Sequence, residues 1–165
     1  MEAGEMRLDA MTIRVIVADD DATFRKAAIR LLETDPRIKV IGEAADGDAL
    51  VDLALIAEPD VVLLDVRMPG GGPTAARALA EVAAATNGRW QPLVVAITAE
   101  TSADVIESML RAGVVGYVAK GRIGSTLGDI VSRVHDGEVV LAASTATRAL
   151  RRLLREIPAP VVAEP

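Results

Sequence analysis

Short apolar runs alternate with segments of helical periodicity along most of the chain, and this alternation constrains the fold more than any other feature. The runs have strand length and span residues 13–18, 38–44, 60–66, 92–98 and 115–120. In several of them Val, Leu and Ile are continuous, which is typical of strands covered on both faces. A helix after each strand favours parallel neighbours and right-handed crossovers. The sequence therefore predicts an α/β fold with a doubly wound (βα)5 parallel sheet.

The predicted helices follow the strands and stop at recognisable signals. They cover residues 22–35, 48–58, 73–86, 102–112 and 125–135. Pro73 lies in a first helical turn, where its missing N–H costs nothing, and Gly113 follows a last turn. The segment after the fifth unit predicts an extra C-terminal helix over residues 144–157. Its apolar stripe consists of Leu150, Leu153, Leu154 and Ile157.

The predicted domain organisation has three parts: a leader over residues 1–11, one folded domain over 12–140, and a C-terminal helix and linker over 141–165. The leader carries acids and lacks an apolar core, so it does not read as a secretion signal. No apolar run approaches the roughly 18–20 residues of a membrane span. We expect a cytoplasmic protein that makes no membrane contact.

Composition excludes several classes of site. The chain has no cysteine, which excludes disulfides and thiolate ligands, and its single histidine, His135, excludes a multi-histidine metal centre. We interpret His135 as complementing the dipole at the end of the fifth helix. The net charge of −6 argues against nucleic-acid binding by this domain itself. Because only 2% of the residues are aromatic, Val, Leu, Ile and Ala must build the core.

Polar residues stand at the carboxyl ends of four predicted strands. In open parallel sheets, ligands bind outside this edge, close to the point where the strand order reverses. We therefore expect these side chains to meet in one site. They are Asp19, Asp20 and Asp21 after the first strand, Asp65 after the third, Thr98 at the end of the fourth, and Lys120 at the end of the fifth.

The clustered carboxylates predict a cation site. Carboxylates packed together raise one another's pKa and oppose folding unless a positive charge compensates them. Mg²⁺ would do so, because it prefers oxygen ligands and typically takes one or two carboxylates together with phosphate oxygens. Asp65 could act as a nucleophile toward phosphorus, since carboxylates form aspartyl-phosphates. Lys120 could then balance the phosphoryl charge, and Thr98 could donate a hydrogen bond to the group.

Four segments together resemble a known family. VADDD, DVVLLDVRMPGGG, VVAITAE and GYVAKG, in this order and spacing, resemble the response-regulator receiver domain of two-component signalling. The resemblance covers about residues 12–136 and is greatest to receivers of LuxR-type helix-turn-helix regulators. It implies a flavodoxin-like sheet with strand order 2-1-3-4-5.

The resemblance also implies roles for the acids. Asp65 matches the phosphoacceptor, and Asp20 matches the acid that binds Mg²⁺ directly. Asp19 matches an acid that acts on the metal through water, and Arg67 supplies the backbone carbonyl ligand two residues past the acceptor. Asp21 has no such role, and we interpret it as a solvated acid at a helix start.

Three further residues match the switch of the family. Lys120 matches the lysine that contacts the phosphoryl group, Thr98 the switch hydroxyl and Tyr117 the switch aromatic. The implied phosphodonor is a phosphohistidine on a sensor histidine kinase. Movement of Thr98 and Tyr117 would repack the face formed by helix four, strand five and helix five. A homodimer could form through this face or through helices one and five.

The implied output is transcription through a DNA-binding domain that is absent from this chain. A stand-alone regulator and a phosphatase-like hydrolase with an aspartyl-phosphate remain alternatives. Such a hydrolase places a second acid two residues after its nucleophile, and this chain has Arg67 there. We therefore expect a phosphoacceptor rather than an enzyme acting on other substrates.

Two departures from the family pattern concern the backbone around the site. Gly121 replaces a proline that often follows the lysine with a cis bond, which leaves the geometry beside Lys120 open. The loop at residues 70–72 is Gly-Gly-Gly, which suggests a mobile cover over the site.

Overall fold

The computed structural model describes residues 12–99 and 102–158, which form a parallel sheet between two layers of helices. The sheet has the order β2-β1-β3-β4-β5-β6. Every neighbouring pair is parallel. The strands are β1 (Ile13–Ala18), β2 (Ile38–Ala44), β3 (Val61–Leu64), β4 (Leu93–Thr98), β5 (Gly116–Ala119) and β6 (Val140–Ala142).

Helices connect the strands, and one more helix follows β6. They are α1 (Ala22–Glu33), α2 (Gly47–Ala57), α3 (Gly72–Ala84), α4 (Ala103–Arg111), α5 (Leu127–His135) and α6 (Ser144–Glu156). Two short 3₁₀ turns, Lys120–Arg122 and Gly124–Thr126, lie between β5 and α5. The predicted fifth helix therefore begins two residues later than expected, after a tighter turn. No described helix combines the length and the apolar character that a membrane span requires.

Strand residues alternate between two buried clusters, one on each face of the sheet. On β1, Val15 packs with Leu32 of α1 in the cluster that also includes α5. Its neighbour Ile16 points the other way and packs with Leu50 of α2, in the cluster that also includes α3, α4 and α6. Burying each such side chain contributes about 1.5–3 kcal/mol. The burial of both faces explains why the strands read as continuous apolar runs.

The predicted doubly wound sheet with order 2-1-3-4-5 and an extra C-terminal helix is confirmed, and a sixth strand extends it. β6 pairs with β5, with Val140 opposite Gly116. Its three residues are too few to show a period in the sequence. The sheet therefore continues two residues past residue 140, the predicted end of the folded domain. The predicted leader and the end of the predicted linker lie outside the described residues.

The C-terminal helix packs through alanines rather than through the predicted leucine stripe. Ala146 and Ala149 are buried, whereas Leu154 and Ile157 are 56% and 64% exposed. The small side chains face the cluster that includes α4, and an ion pair of 2.6 Å joins Glu156 Oε2 to Arg111 Nη2. Helical spacing identified an apolar stripe over Leu150–Ile157, whereas the buried face of the helix is formed by the alanines.

Candidate functional site

The carboxyl ends of β1, β3, β4 and β5 bring the predicted site residues together. Asp19, Asp65 and Thr98 are buried, and Lys120 is half-buried beside them. The backbone ladder sets this arrangement: Ala18 is paired with Leu64, and the Asp65 N–H donates to the Ala18 carbonyl at 2.9 Å. The next residue of each strand therefore carries its carboxylate to the same edge.

Three carboxylates form a compact oxygen cluster. One oxygen from each of Asp19, Asp20 and Asp65 lies within 4.8 Å of the other two. Asp19 and Asp65 are buried, and Asp20 is exposed on the solvent side. Oxygen ligands of this kind, open to water on one side, suit Mg²⁺, which keeps several of its waters.

Asp21 lies outside the cluster and caps α1. Its Oδ1 accepts hydrogen bonds from the backbone N–H groups of Thr23 at 2.9 Å and Phe24 at 3.2 Å. Such a cap is worth about 1 kcal/mol of helix stability. Asp21 is therefore the acid at a helix start, whereas Asp19 and Asp20 belong to the carboxylate cluster.

Lys120 lies between the two buried acids. Its Nζ is 2.8 Å from Asp19 Oδ2 and 3.4 Å from Asp65 Oδ2. Burial opposes the charge of the ammonium, but its interactions with Asp19 and Asp65 outweigh burial and raise the pKa of Lys120. Asp19 is thus nearer to the lysine than Asp65 is. The family resemblance implied for Asp19 only a contact with the metal through water.

The two carboxylate oxygens of Asp19 have different surroundings. Its Oδ1 accepts from the Asp21 N–H at 2.9 Å. Its Oδ2 is fully buried and, among the described groups, accepts no well-directed hydrogen bond, although the Lys120 ammonium is close. A buried carboxylate oxygen is stable only when it is paired or coordinated. The donor set therefore fits a hard divalent ion.

The environment of Asp65 works against its ionisation. Burial raises the pKa of Asp65, and the neighbouring Asp19 charge raises it further. The Arg67 N–H, 3.3 Å from Asp65 Oδ1, and the Lys120 ammonium act in the opposite direction but do not cancel the rise. A divalent cation at this edge would favour the charged carboxylate.

The loop after Asp65 is held against α2. The Gly47 N–H donates to the Pro69 carbonyl at 2.8 Å, and the Gly71 N–H donates to the Met68 carbonyl at 2.9 Å. A side chain at Gly47 would meet the Gly70 carbonyl oxygen at 1.7 Å, so only glycine permits this contact. Within the glycine run, interpreted from sequence as a mobile cover, Gly71 is also closely packed, because a side chain there would meet the Asp65 carbonyl oxygen at 2.8 Å.

The two predicted switch residues lie on adjacent strands. Thr98 is the last residue of β4, and Tyr117 on β5 is 1% exposed. Tyr117 belongs to the buried cluster that also contains Ala146 and Ala149 of α6. The aromatic ring therefore lies on the face of the sheet that α6 helps to cover. Among the described residues no peptide bond is cis, so the bond between Lys120 and Gly121 is trans.

Sequence analysis missed two residues of α1 that reach the site. Nζ of Lys120 lies 4.4 Å from the centre of the Phe24 ring. Arg25 donates from Nη1 to the Asp19 carbonyl at 2.7 Å and from Nε to Glu43 Oε1 at 2.8 Å. One signal could have found Phe24, because it is the only phenylalanine of the chain and lies three residues after the acidic run.

The family model described as the response regulator receiver domain matches residues 15–134, which include every residue of the acid cluster and Lys120. The chain belongs to the response-regulator receiver family. The resemblance stated from the sequence is confirmed, and receivers of this family contain an acidic Asp cluster that binds Mg²⁺.

Several relatives with curated names or solved structures are regulators, and others are protein-glutamate methylesterases. The chain is 31% identical over 142 residues to the transcriptional regulatory protein LiaR of Bacillus subtilis, covering 86% of this chain and 64% of LiaR. The receiver domain of the putative response regulator NarL from Mycobacterium tuberculosis is 30% identical, with a TM-score of 0.68 over 77% of this chain and 98% of that one. A LuxR-family two-component response regulator from Aurantimonas sp. SI85-9A1 shares the fold, with 24% identity, a TM-score of 0.74, and coverage of 87% and 99%.

The matches also define how much of a regulator this chain represents. The chain spans 64% of LiaR, and 54% of the probable transcriptional regulatory protein NarL. The names of those longer proteins therefore describe them and assign no activity to this chain.

Proposed function

We propose that this receiver accepts a phosphoryl group on Asp65 from a phosphohistidine of a sensor histidine kinase, in a reaction that depends on Mg²⁺. The observation that carries the proposal is the meeting of Asp65 with Asp19, Asp20 and Lys120 at one edge of the sheet. Acids whose burial and mutual repulsion raise their pKa and lower the stability of the fold are typical of functional sites.

The residues that would hold the metal are Asp20, Asp65 and the Arg67 carbonyl, with Asp19 acting through water. When bound, Mg²⁺ neutralises phosphoryl oxygens and keeps Asp65 charged. Support comes from the three oxygens within 4.8 Å and from the buried Oδ2 of Asp19 without a well-directed hydrogen bond.

The chain supplies the nucleophile and the countercharge for transfer. A carboxylate oxygen of Asp65 attacks phosphorus, the bond from phosphorus to the imidazole nitrogen breaks, and that nitrogen keeps the electron pair and takes a proton from water. Lys120, now 3.4 Å from Asp65 Oδ2, pairs with a phosphoryl oxygen. The Thr98 hydroxyl donates a hydrogen bond to another phosphoryl oxygen. Positioning and charge supply most of the catalysis in phosphoryl transfer.

The signal would leave through β5 and the elements around it. Thr98 moves toward the phosphoryl group, and Tyr117 adjusts its packing in the cluster it shares with α4 and α6. The output is transcription through a DNA-binding domain outside this chain, as the names of the longer relatives suggest. Dimerisation through α1 and α5, or through α4, β5 and α5, stays a prediction, and β6 and α6 cover part of the second face.

Hydrolysis of other substrates is the weaker alternative. An aspartyl-phosphate hydrolase needs a general acid two residues after its nucleophile, and Arg67 occupies that position. An arginine is always protonated and cannot exchange the proton. The chain would catalyse only its own phosphorylation and dephosphorylation.

Intact-mass spectrometry after incubation with acetyl phosphate and Mg²⁺ tests the proposal. We expect the wild type to gain the mass of one phosphoryl group and Asp65→Asn to gain none. Asp52→Asn, which removes an exposed acid on α2, is the matched control and should label like the wild type. Equal labelling of wild type and Asp65→Asn would exclude Asp65 as the acceptor.

A further inference from the structure

The Lys120 ammonium has an aromatic contact in addition to its two acids. Its Nζ lies 4.4 Å from the centre of the Phe24 ring, within the range in which a cation is attracted to a ring face. The same atom is 2.8 Å from Asp19 Oδ2 and 3.4 Å from Asp65 Oδ2. Three groups from α1, β1 and β3 therefore surround one cation.

Backbone and packing contacts hold Phe24 in place. Its ring can therefore restrict the position of the Lys120 ammonium. Its backbone N–H donates to the Asp21 cap at 3.2 Å, which sets the first turn of α1. Its half-buried ring packs against the cluster between α1, α5 and the sheet, which includes Leu32 and Ile123. The ring is therefore part of the rigid frame and not a free surface group.

The residues next to Lys120 in the sequence do little to fix the position of its ammonium group. It starts the 3₁₀ turn after β5, and the next residue is Gly121. A Cβ at Gly121 would meet no atom within 4 Å, so this side of the turn lies open. A lysine stem has several rotatable bonds and no preferred direction of its own. The groups that define where the ammonium lies are on other elements.

We infer that Phe24 is a positioning residue, whose ring face holds the Lys120 ammonium beside Asp65 for the incoming phosphoryl group. The inference rests on the proposed function and deepens it. When a phosphoryl oxygen replaces Asp65 Oδ2 as the partner of the ammonium, the contact with the ring can persist, because the ring lies on a different element from the acceptor. An aliphatic side chain would fill the same space but would not attract a cation.

The first test compares Phe24→Leu with Phe24→Tyr. We expect labelling by acetyl phosphate in Mg²⁺ to slow about three- to tenfold in Phe24→Leu, the size of effect that loss of one cation–π contact gives. Phe24→Tyr keeps the ring face and should remain within about twofold of the wild type. A Phe24→Leu variant that labels as fast as the wild type overturns the inference.

A matched variant separates positioning from packing. Leu31 is a partly buried residue of α1 that packs against the same cluster. Leu31→Ala should lower the thermal midpoint at least as much as Phe24→Leu but leave the labelling rate near that of the wild type. If Leu31→Ala slows labelling as much as Phe24→Leu does, then Phe24 acts only through the stability of α1, and the inference fails.

A second measurement does not require phosphorylation. The chain has three lysines, and Lys26 and Lys39 are exposed, so they give reference signals. We expect the ε-methylene protons of Lys120 to resonate upfield of theirs because of the ring current, and this shift to disappear in Phe24→Leu. Absence of the shift in the wild type overturns the inference. If the shift is present while the wild type accepts no phosphoryl group, the proposed function fails but the contact stands.

Discussion

The two ends of the sheet treat their charged groups in opposite ways. At the amino end, Asp60 Oδ2 accepts from the Arg14 N–H at 2.9 Å, and Arg14 Nη1 donates to the Glu58 carbonyl at 2.9 Å. Arg37 forms a bidentate pair with Asp35, at 2.8 and 3.1 Å. At the carboxyl end, three carboxylates lie close together, and the Lys120 ammonium pairs with only two of them, Asp19 and Asp65.

This difference shows which charged groups lower the stability of the fold. Paired acids at the amino end strengthen the fold, and the pKa of Asp35 is held low by its hydrogen bonds to Arg37. The pKa of Asp65 moves the other way because of burial and the Asp19 charge. Two carboxylates of one chain thus have opposite effects on stability at neutral pH. The acid with the raised pKa lies at the carboxyl end, where we propose the binding site, and the acid with the lowered pKa lies at the amino end.

The largest expected effect comes from removing an anchor of the amino end. Trp90 is buried, and its Nε1 donates to the Pro59 carbonyl at 2.8 Å. Trp90→Ala should lower the free energy of unfolding by about 3–5 kcal/mol, measured by urea denaturation followed by circular dichroism. Trp90→Phe keeps most of the packing and should lose less. A loss below about 1 kcal/mol for Trp90→Ala would mean that the amino end does not anchor the fold.

Mg²⁺ should reduce the difference between the ends. At a concentration 100 times its dissociation constant, a ligand that binds only the folded state stabilises it by about 2.7 kcal/mol. We expect Mg²⁺ to raise the thermal midpoint of the wild type and to have a much smaller effect on Asp20→Asn. Asp52→Asn serves as the control for loss of one exposed acid. An equal response of wild type and Asp20→Asn would remove Asp20 from the ligand set.

Neutralising the acceptor should make the carboxyl end more stable. Asp65→Asn should raise the free energy of unfolding by about 1 kcal/mol at pH 7 without Mg²⁺, because it removes a buried charge beside Asp19. Since the pKa of Asp65 is raised in the folded state, this gain should grow as the pH rises through that pKa and vanish in acid. Denaturation at several pH values measures it, and a variant less stable than the wild type at pH 7 would contradict the prediction.

The smallest effect concerns the paired acid at the amino end, with the opposite dependence on pH. Asp35→Asn should lower stability slightly at pH 7, because the folded state holds the pKa of Asp35 below its usual range. The difference from the wild type should disappear as the pH falls through that lowered pKa. The same pH series on both variants gives slopes of opposite sign, and slopes of the same sign would refute the comparison of the two ends.

Sequence predicted the sheet and the approach of the acids for a simple physical reason. Parallel strands deliver their carboxyl ends to one edge, so the residue after each apolar run has a known place. The proximity of Asp65 and Lys120 could therefore be predicted, although the distance between them could not. Their roles in phosphoryl transfer stay a prediction.

The details that sequence missed depend on contacts between elements. The preference of Lys120 for Asp19 and the contact with Phe24 are set by side-chain distances of a few ångströms between separate strands and a helix. β6 escaped notice because three residues carry no period. The buried face of α6 is formed by alanines, and the apolar periodicity of the sequence did not single them out because it weighs small side chains less than leucines.

The short strand β6 has a consequence for how copies of this protein behave at high concentration. A strand at the border of a sheet offers unpaired N–H and C=O groups to other chains, and short edge strands limit this hazard. In the described sheet the border beside β5 is formed by Val140–Ala142 alone. A chain cut before Val140 would expose the backbone of β5 next to Val118 and Tyr117. We expect that shortened chain to aggregate, whereas a chain ending after Glu156 keeps β5 paired and has only the short strand β6 at its border.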